Sequence, residues 1–138
     1  MRAIVLVGGF GTRLRPLTLD TPKQMLPIVD RPMIDRVVSK LGEVGVTDAI
    51  LSLGYRPDAF FDAYPDDTLD GVKLHYAVEP EPLDTAGAIR FAAIEAGIDS
   101  RFIVVNGDVL TDLDVAALGA AHGDRGAEGT IALTPVED

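Results

Sequence analysis

Residues 3–18 read AIVLVGGFGTRLRPLT, an apolar run that passes directly into a glycine-rich loop. Its first five residues contain no polar side chain, which is typical of a strand buried on both faces of a sheet. Further strands are predicted at residues 49–53, 72–78, 102–105 and 130–136, and helices at residues 32–44, 57–64, 85–96 and 114–122. The alternation of strands and helices predicts an α/β fold, Rossmann-like and three-layered, with a mostly parallel sheet between helices.

A functional site is expected where the predicted strands end. In open parallel sheets, ligands bind beyond the carboxyl ends of the strands. The loops that follow Val7, Val78 and Val105 are therefore the candidates for a binding site.

The loop after residue 7 has the composition of an anion-binding loop. Glycine at positions 8, 9 and 11 lets the backbone turn tightly and bring its amides against a ligand. Thr12 can donate a hydrogen bond to an oxyanion, and Arg13 can neutralise its charge. The loop is not a P-loop, because no Gly-Lys-Ser/Thr follows, and its glycine spacing differs from the dinucleotide fingerprint. A flexible strand-to-helix connection is the alternative, and the loop's two arginines together with Lys23 argue against it.

Four stretches of the chain resemble one family. GGFGTRLRPLT at residues 8–18 and TPKQMLPIVDRPMI at residues 21–34 are similar to the signature of the sugar-1-phosphate nucleotidylyltransferases. EPEPLDTAGAI and FIVVNGDVL extend the likeness in the same order along the chain. The resemblance implies that residues 1–138 form the N-terminal, nucleotide-binding portion of a nucleotidyltransferase domain, truncated at its C-terminus. The sugar pocket and a second metal-binding aspartate are then expected beyond residue 138.

The resemblance also implies a reaction, in which a nucleoside triphosphate and a sugar-1-phosphate give an NDP-sugar and pyrophosphate with the help of Mg²⁺. By analogy Arg13 takes the β- and γ-phosphates, Lys23 holds the α-phosphate and the sugar phosphate, and Asp108 holds the metal. No general base is needed, because the sugar phosphate is already ionised near neutral pH. Asp108 has a second interpretation, as a turn or helix-capping aspartate.

The nucleoside-binding residues are implied by the same resemblance. Glu79 stands where the family reads the Watson–Crick edge of the base, and a carboxylate can accept from guanine N1–H and the exocyclic amino group together. This favours GTP, and residues 82–87 are most similar to the mannose-1-phosphate guanylyltransferase branch, so the resemblance implies GTP with mannose-1-phosphate as the favoured substrate pair. The other nucleotide-binding residues implied are Leu6, Gly8, Gly9, Gly11, Thr12, Arg13, Thr85, Ala86 and Gly87.

The base assignment has alternatives. Glu81 can read the base in place of Glu79, and residues 23–34 resemble the thymidylyl branch of the family equally well. The alternative substrates are therefore dTTP or UTP with glucose-1-phosphate. Asp84 stands where the guanylyl branch usually has glycine, and its side chain either crowds the nucleotide or caps the following helix.

A second class of function is a non-catalytic regulatory module on the same fold. Such relatives tend to lose the signature arginine or lysine, and this chain has Arg13, Lys23 and Asp108. The sequence therefore favours an enzyme. The 138 residues alone are expected to bind nucleotide weakly and to turn over little or not at all.

The composition limits the partners of the protein. Its net charge of −10 divides into +3 over residues 1–31 and −13 over the remainder, which disfavours nucleic acid and favours a small anion near the N-terminus. No apolar run approaches the roughly 20 residues of a membrane span. The absence of cysteine is compatible with a cytoplasmic protein. The ratios of 16 Asp to 6 Glu and 9 Arg to 3 Lys suit a halophile-like protein or a GC-rich genome. The resemblance also implies a possible homo-oligomer, because family members often form them.

Overall fold

The computed structural model describes residues 1–54 and 56–137. The strands are β1 (Arg2–Val7), β2 (Pro27–Ile28), β3 (Arg31–Pro32), β4 (Asp48–Leu53), β5 (Thr68–Leu69), β6 (Val72–Val78) and β7 (Phe102–Asn106). Five of them form one sheet in the order β5-β6-β4-β1-β7, and β2 and β3 form a separate hairpin. β1 is parallel to both β4 and β7, β6 is parallel to β4, and only β5 runs antiparallel. The carboxyl ends of β1, β4, β6 and β7 therefore meet at one edge.

Helices cover both faces of the sheet. They are α1 (Met33–Glu43), α2 (Pro57–Ala63), α3 (Asp84–Glu95) and α4 (Val115–Arg125). Residues of α1 and α2 share a core with one face of β1 and β4, whereas residues of α3 pack with Ile4 and Ile50 on the opposite face. The predicted three-layer α/β arrangement with a mostly parallel sheet is thus confirmed. No helix in the described parts of the chain is long and apolar enough to cross a membrane.

Local signals explain where the helices begin and end. Pro32 immediately precedes α1, and Gly45, with a φ of 86°, follows its end. Asp114 caps α4 by accepting a hydrogen bond from the backbone N–H of Ala117 at 2.9 Å, and Gly126 ends that helix with a φ of 55°. A left-handed residue at a helix C-terminus is typically glycine, because glycine has no Cβ to clash.

The strand predicted at residues 130–136 is wrong. This segment has no regular secondary structure, and Ile131, Leu133 and Val136 are 81–86% exposed. A strand forms only when its backbone pairs with another strand, and none of the described strands pairs with this segment. The other predicted strands and helices agree with the structure to within three residues at each end.

Candidate functional site

A cavity of about 460 Å³ opens at the carboxyl edge of the parallel sheet. Four strands contribute to it, since its lining comes from the ends of β1, β4, β6 and β7 and from the start of α3. The lining residues are Leu6, Gly8, Gly9, Phe10, Lys23, Ser52, Gly54, Glu79, Pro82, Leu83, Asp84, Thr85, Ala88, Asn106 and Asp108. The three loops singled out in the sequence thus converge on one place.

The glycine-rich loop is fixed by two buried polar side chains. Thr18 donates its hydroxyl to the carbonyl oxygen of Gly11 at 2.6 Å, and Gln24 donates to the carbonyl oxygen of Gly8 at 3.3 Å. Thr18 and Gln24 are 3% and 2% exposed. Gly11 has a φ of 59°, and a Cβ there would lie 3.0 Å from a methyl carbon of Thr18. Glycine is therefore required at position 11, and the loop is held in place before a ligand arrives.

Lys23 and Asp108 form an ion pair in the cavity. Lys23 opens a short 3-10 turn, Lys23–Met25, and Asp108 follows the end of β7. Their side chains are 24% and 32% exposed, so solvent and ligands can reach both. The site thus contains a cation that suits phosphate and a carboxylate that suits a metal, in mutual contact.

The turn that carries Asp108 is pressed against β1. The backbone N–H of Gly107 donates to the carbonyl oxygen of Leu6 at 2.8 Å. A Cβ on Gly107 would lie 3.1 Å from that same oxygen and 3.3 Å from a methyl carbon of Val5. The glycine therefore permits the close approach that brings Asp108 to the cavity.

Hydrogen bonds hold both the backbone and the side-chain carboxylate of Glu79. Its backbone N–H donates to the carbonyl oxygen of Leu53 at 2.8 Å and so continues the pairing of β4 with β6. Its carboxylate accepts from the hydroxyl of Ser52 on Oε1 and from the backbone N–H of Leu83 on Oε2, each at 3.2 Å. Glu81 is exposed and does not line the cavity.

Asp84 is the first residue of α3 and has a φ of 56°. This is the left-handed region that favours glycine, which gives a conformational reason for the glycine of the guanylyl branch. The capping interpretation of Asp84 is wrong, because the cap position of α3 is Leu83 and Asp84 is the first residue of the helix. Asp84 instead lines the cavity.

The structure brings together some of the candidate residues and not others. Those that line the cavity are Leu6, Gly8, Gly9, Lys23, Glu79, Thr85 and Asp108, and those that do not are Gly11, Thr12, Arg13, Ala86 and Gly87. Arg13 lies in an exposed 3-10 turn, Thr12–Leu14, and forms no ion pair with any described residue. A Cβ on Gly87 would lie 2.9 Å from Leu83 Cβ, so this glycine serves packing at the start of α3.

Several lining residues were missed in the sequence. They are Phe10, Ser52, Gly54, Pro82, Leu83, Ala88 and Asn106. One signal was present, because Ser52 is the only polar residue in the otherwise apolar strand predicted at residues 49–53, and a hydroxyl that is buried needs a partner. Within the described residues, no group of three or more histidines and carboxylates is arranged to hold a metal ion.

Comparison with known proteins gives consistent likenesses. Residues 2–138 match the family model described as nucleotidyl transferase. A mannose-1-phosphate guanyltransferase of Emericella nidulans is 46% identical over the whole chain, and one of Schizosaccharomyces pombe is 45% identical. The chain spans 38% and 39% of the length of these two relatives.

Solved structures agree with this likeness. HddC from Yersinia pseudotuberculosis, complexed with GMP-PN, superposes with a TM-score of 0.77 at 36% identity, over 89% of this chain and 54% of that one. A Bacillus anthracis protein crystallised with sucrose, and provisionally described as a glucose-1-phosphate thymidylyltransferase, gives 0.80 at 27% identity, over 90% of this chain and 50% of that one.

Proposed function

Because this chain belongs to the nucleotidyl transferase family, we propose that its cavity binds a nucleoside triphosphate for transfer to a sugar-1-phosphate. We propose further that residues 1–138 are the nucleotide-binding portion of the catalytic unit. The residues that hold the sugar would then lie outside this chain, since it spans only 38% of its fungal relative. A cytoplasmic location is part of the same proposal.

The observation that carries the proposal is the ion pair of Lys23 and Asp108 beside the glycine-rich loop. The difficulty of the reaction is to bring two polyanions together and to stabilise the leaving pyrophosphate. Positioning and charge neutralisation answer both needs, and no general base is required. Lys23 would hold the α-phosphate and the sugar phosphate, and the exposed Arg13 would reach the β- and γ-phosphates.

Asp108 fits a role as ligand to Mg²⁺. Magnesium is usually held by one or two carboxylates together with substrate phosphates and water, so a single protein carboxylate suffices when a triphosphate is bound. Asp108 would hold the ion beside the triphosphate, and the ion would supply positive charge that stabilises the charge developing on the phosphates. Asp108 must release Lys23 to do this, which frees the ammonium for the phosphates at the same step.

GTP with mannose-1-phosphate is the substrate pair we propose. Glu79 lines the cavity with two carboxylate oxygens, which match the two neighbouring donors of guanine. The curated relatives are guanyltransferases that act on mannose-1-phosphate, and HddC was crystallised with a guanine nucleotide analogue. The Bacillus anthracis likeness keeps dTTP or UTP with glucose-1-phosphate as the second candidate.

The test is Mg²⁺-dependent pyrophosphate release by the natural polypeptide that contains this chain, measured in high salt. GTP, dTTP, UTP, CTP and ATP are each offered with mannose-1-phosphate and glucose-1-phosphate. We expect one strong signal, for GTP with mannose-1-phosphate, and its loss in an Asp108→Asn variant. A signal with dTTP or UTP would keep the transfer reaction and overturn the base assignment. Nucleotide binding without pyrophosphate release from any pair would favour the regulatory module.

A further inference from the structure

Ser52 is an unusual residue for its position in the sheet. It lies on β4 between Leu6 of β1 and Ala77 of β6, on the face that α3 covers, and is 1% exposed. The neighbours on this face of the sheet are apolar. A buried hydroxyl without a partner is costly, so its hydrogen bond identifies what the residue does.

The partner of Ser52 is the carboxylate of Glu79. The hydroxyl donates to Oε1 at 3.2 Å, while the backbone N–H of Leu83 donates to Oε2 at the same distance. One donor on each oxygen fixes the plane of the carboxylate. Because a carboxylate oxygen can accept about two hydrogen bonds, both oxygens keep capacity for a ligand.

We propose that Ser52 is a positioning residue for base selection, which orients the Glu79 carboxylate so that both oxygens receive paired donors from the base. This inference rests on the proposed function, in which Glu79 contacts the guanine edge. Guanine offers N1–H and an adjacent amino group, whereas hypoxanthine lacks the amino group. A carboxylate whose plane is fixed gains more binding free energy from the guanine amino group than a carboxylate that rotates freely.

A purely structural role for Ser52 makes a different prediction. Suppose that the hydrogen bond from Ser52 only gives the buried hydroxyl a partner and anchors the loop at residues 79–83. Removing the hydroxyl would then change the stability of the protein. The removal would not change the preference for GTP over ITP, because a less rigid loop would weaken the binding of both nucleotides by the same factor. The ratio of the two dissociation constants therefore separates the two roles.

The experiment measures the dissociation constants of GTP and ITP with Mg²⁺ by calorimetry, for the wild type and three variants. We expect Ser52→Ala to lower the preference for GTP by about fivefold, the scale of one hydrogen bond to a charged group acting indirectly. Ser52→Cys keeps a weak donor of similar size, so its preference for GTP should lie between those of the wild type and Ser52→Ala. Ser39→Ala is the matched control, because it removes another serine hydroxyl bonded to a carboxylate, that of Asp70, outside the cavity.

A fourth variant ties the effect to Glu79. Glu79→Gln should abolish the preference for GTP over ITP, and adding Ser52→Ala to it should change nothing more. An unchanged preference in both Ser52 variants, with Glu79→Gln losing it, would overturn the positioning role and leave the proposed function standing. Wild-type protein that binds no nucleotide at all would overturn both. If Ser52→Ala does not fold, as judged by circular dichroism, the Ser52→Cys variant decides.

Discussion

Lys23 and Asp108 neutralise each other when no ligand is bound. On the proposed function, a metal-free nucleotide would have to compete with the Asp108 carboxylate for the Lys23 ammonium, and it would also meet the negative charge of that carboxylate. With a divalent cation present, the carboxylate would act as a metal ligand and no longer as a competitor. The same residue would thus oppose nucleotide binding without the cation and support it with the cation.

This reversal can be measured in the Asp108→Asn variant. We expect the variant to bind GTP about fivefold more tightly than the wild type in EDTA, because one partly exposed charge contact is worth about 1 kcal/mol. In Mg²⁺ the variant should lose the tightening that the wild type shows. Fluorescence titration of both proteins in both buffers provides the four constants. Asp112→Asn, an exposed change outside the cavity, is the control, and equal weakening of Asp108→Asn in both buffers would contradict the prediction.

The backbone at Asp84 makes a second prediction at this scale. A left-handed φ costs a residue with a Cβ about 1–2 kcal/mol, of which glycine's greater freedom when unfolded cancels a part. Asp84→Gly should therefore raise the free energy of unfolding by about 0.5–1 kcal/mol, as measured by urea denaturation. Asp84→Ala keeps the Cβ and should give no such gain. A gain of equal size in both variants would show that the side-chain charge matters and the backbone does not.

At the scale of elements, the contact between β1 and the turn after β7 positions one side of the site. Gly107→Ala places a methyl group 3.1 Å from the Leu6 carbonyl oxygen. We expect it to lower the free energy of unfolding by about 1–3 kcal/mol, the usual range for overpacking, and to weaken Mg²⁺-dependent nucleotide binding by moving Asp108. Gly119→Ala in α4 is the control, because a Cβ there meets nothing within 4 Å. That change should stabilise the helix by about 1 kcal/mol.

The helices and strands differ in how well they could be predicted from the sequence. β1 carries an uninterrupted apolar run, β4 carries an apolar run interrupted by Ser52, and apolar residues recur at helical spacing along α1, so these elements were predicted nearly to the residue. The two-residue strands β2, β3 and β5 are too short to have a period. The apolar residues at 130–136 favour a strand but say nothing about whether a neighbouring strand exists to pair with it.

Some features of the candidate site could likewise be predicted from the sequence, and others could not. Glu79 and Asp108 follow strands of a parallel sheet, so their convergence could be predicted from topology. The bond from Ser52 to Glu79 could not, because it depends on the register of β4 against β6. Topology is readable from patterns many residues long, whereas register is decided by single contacts.

At the scale of the whole molecule, the net charge of −10 on 138 residues opposes folding through self-repulsion. Raising KCl from about 0.1 M to about 1 M shortens the screening length from about 10 Å to about 3 Å. We expect the melting temperature to rise by about 3 °C, equivalent to about 1 kcal/mol of relieved repulsion. Differential scanning calorimetry over a KCl series tests this, with sucrose as the uncharged comparison. A melting temperature that falls with KCl would mean that attractive ion pairs outweigh the repulsion.

The way Thr18 and Gln24 bind the glycine-rich loop has a consequence for the electrostatics of the whole cavity. Both side chains donate to carbonyl oxygens of the loop, at Gly11 and Gly8. Each peptide group is a dipole, and its negative end is here turned towards a donor inside the protein. These two carbonyl oxygens already have donors, so they would oppose the approach of an anion less than unpaired carbonyl oxygens would. This condition suits the phosphate binding that we propose for the loop.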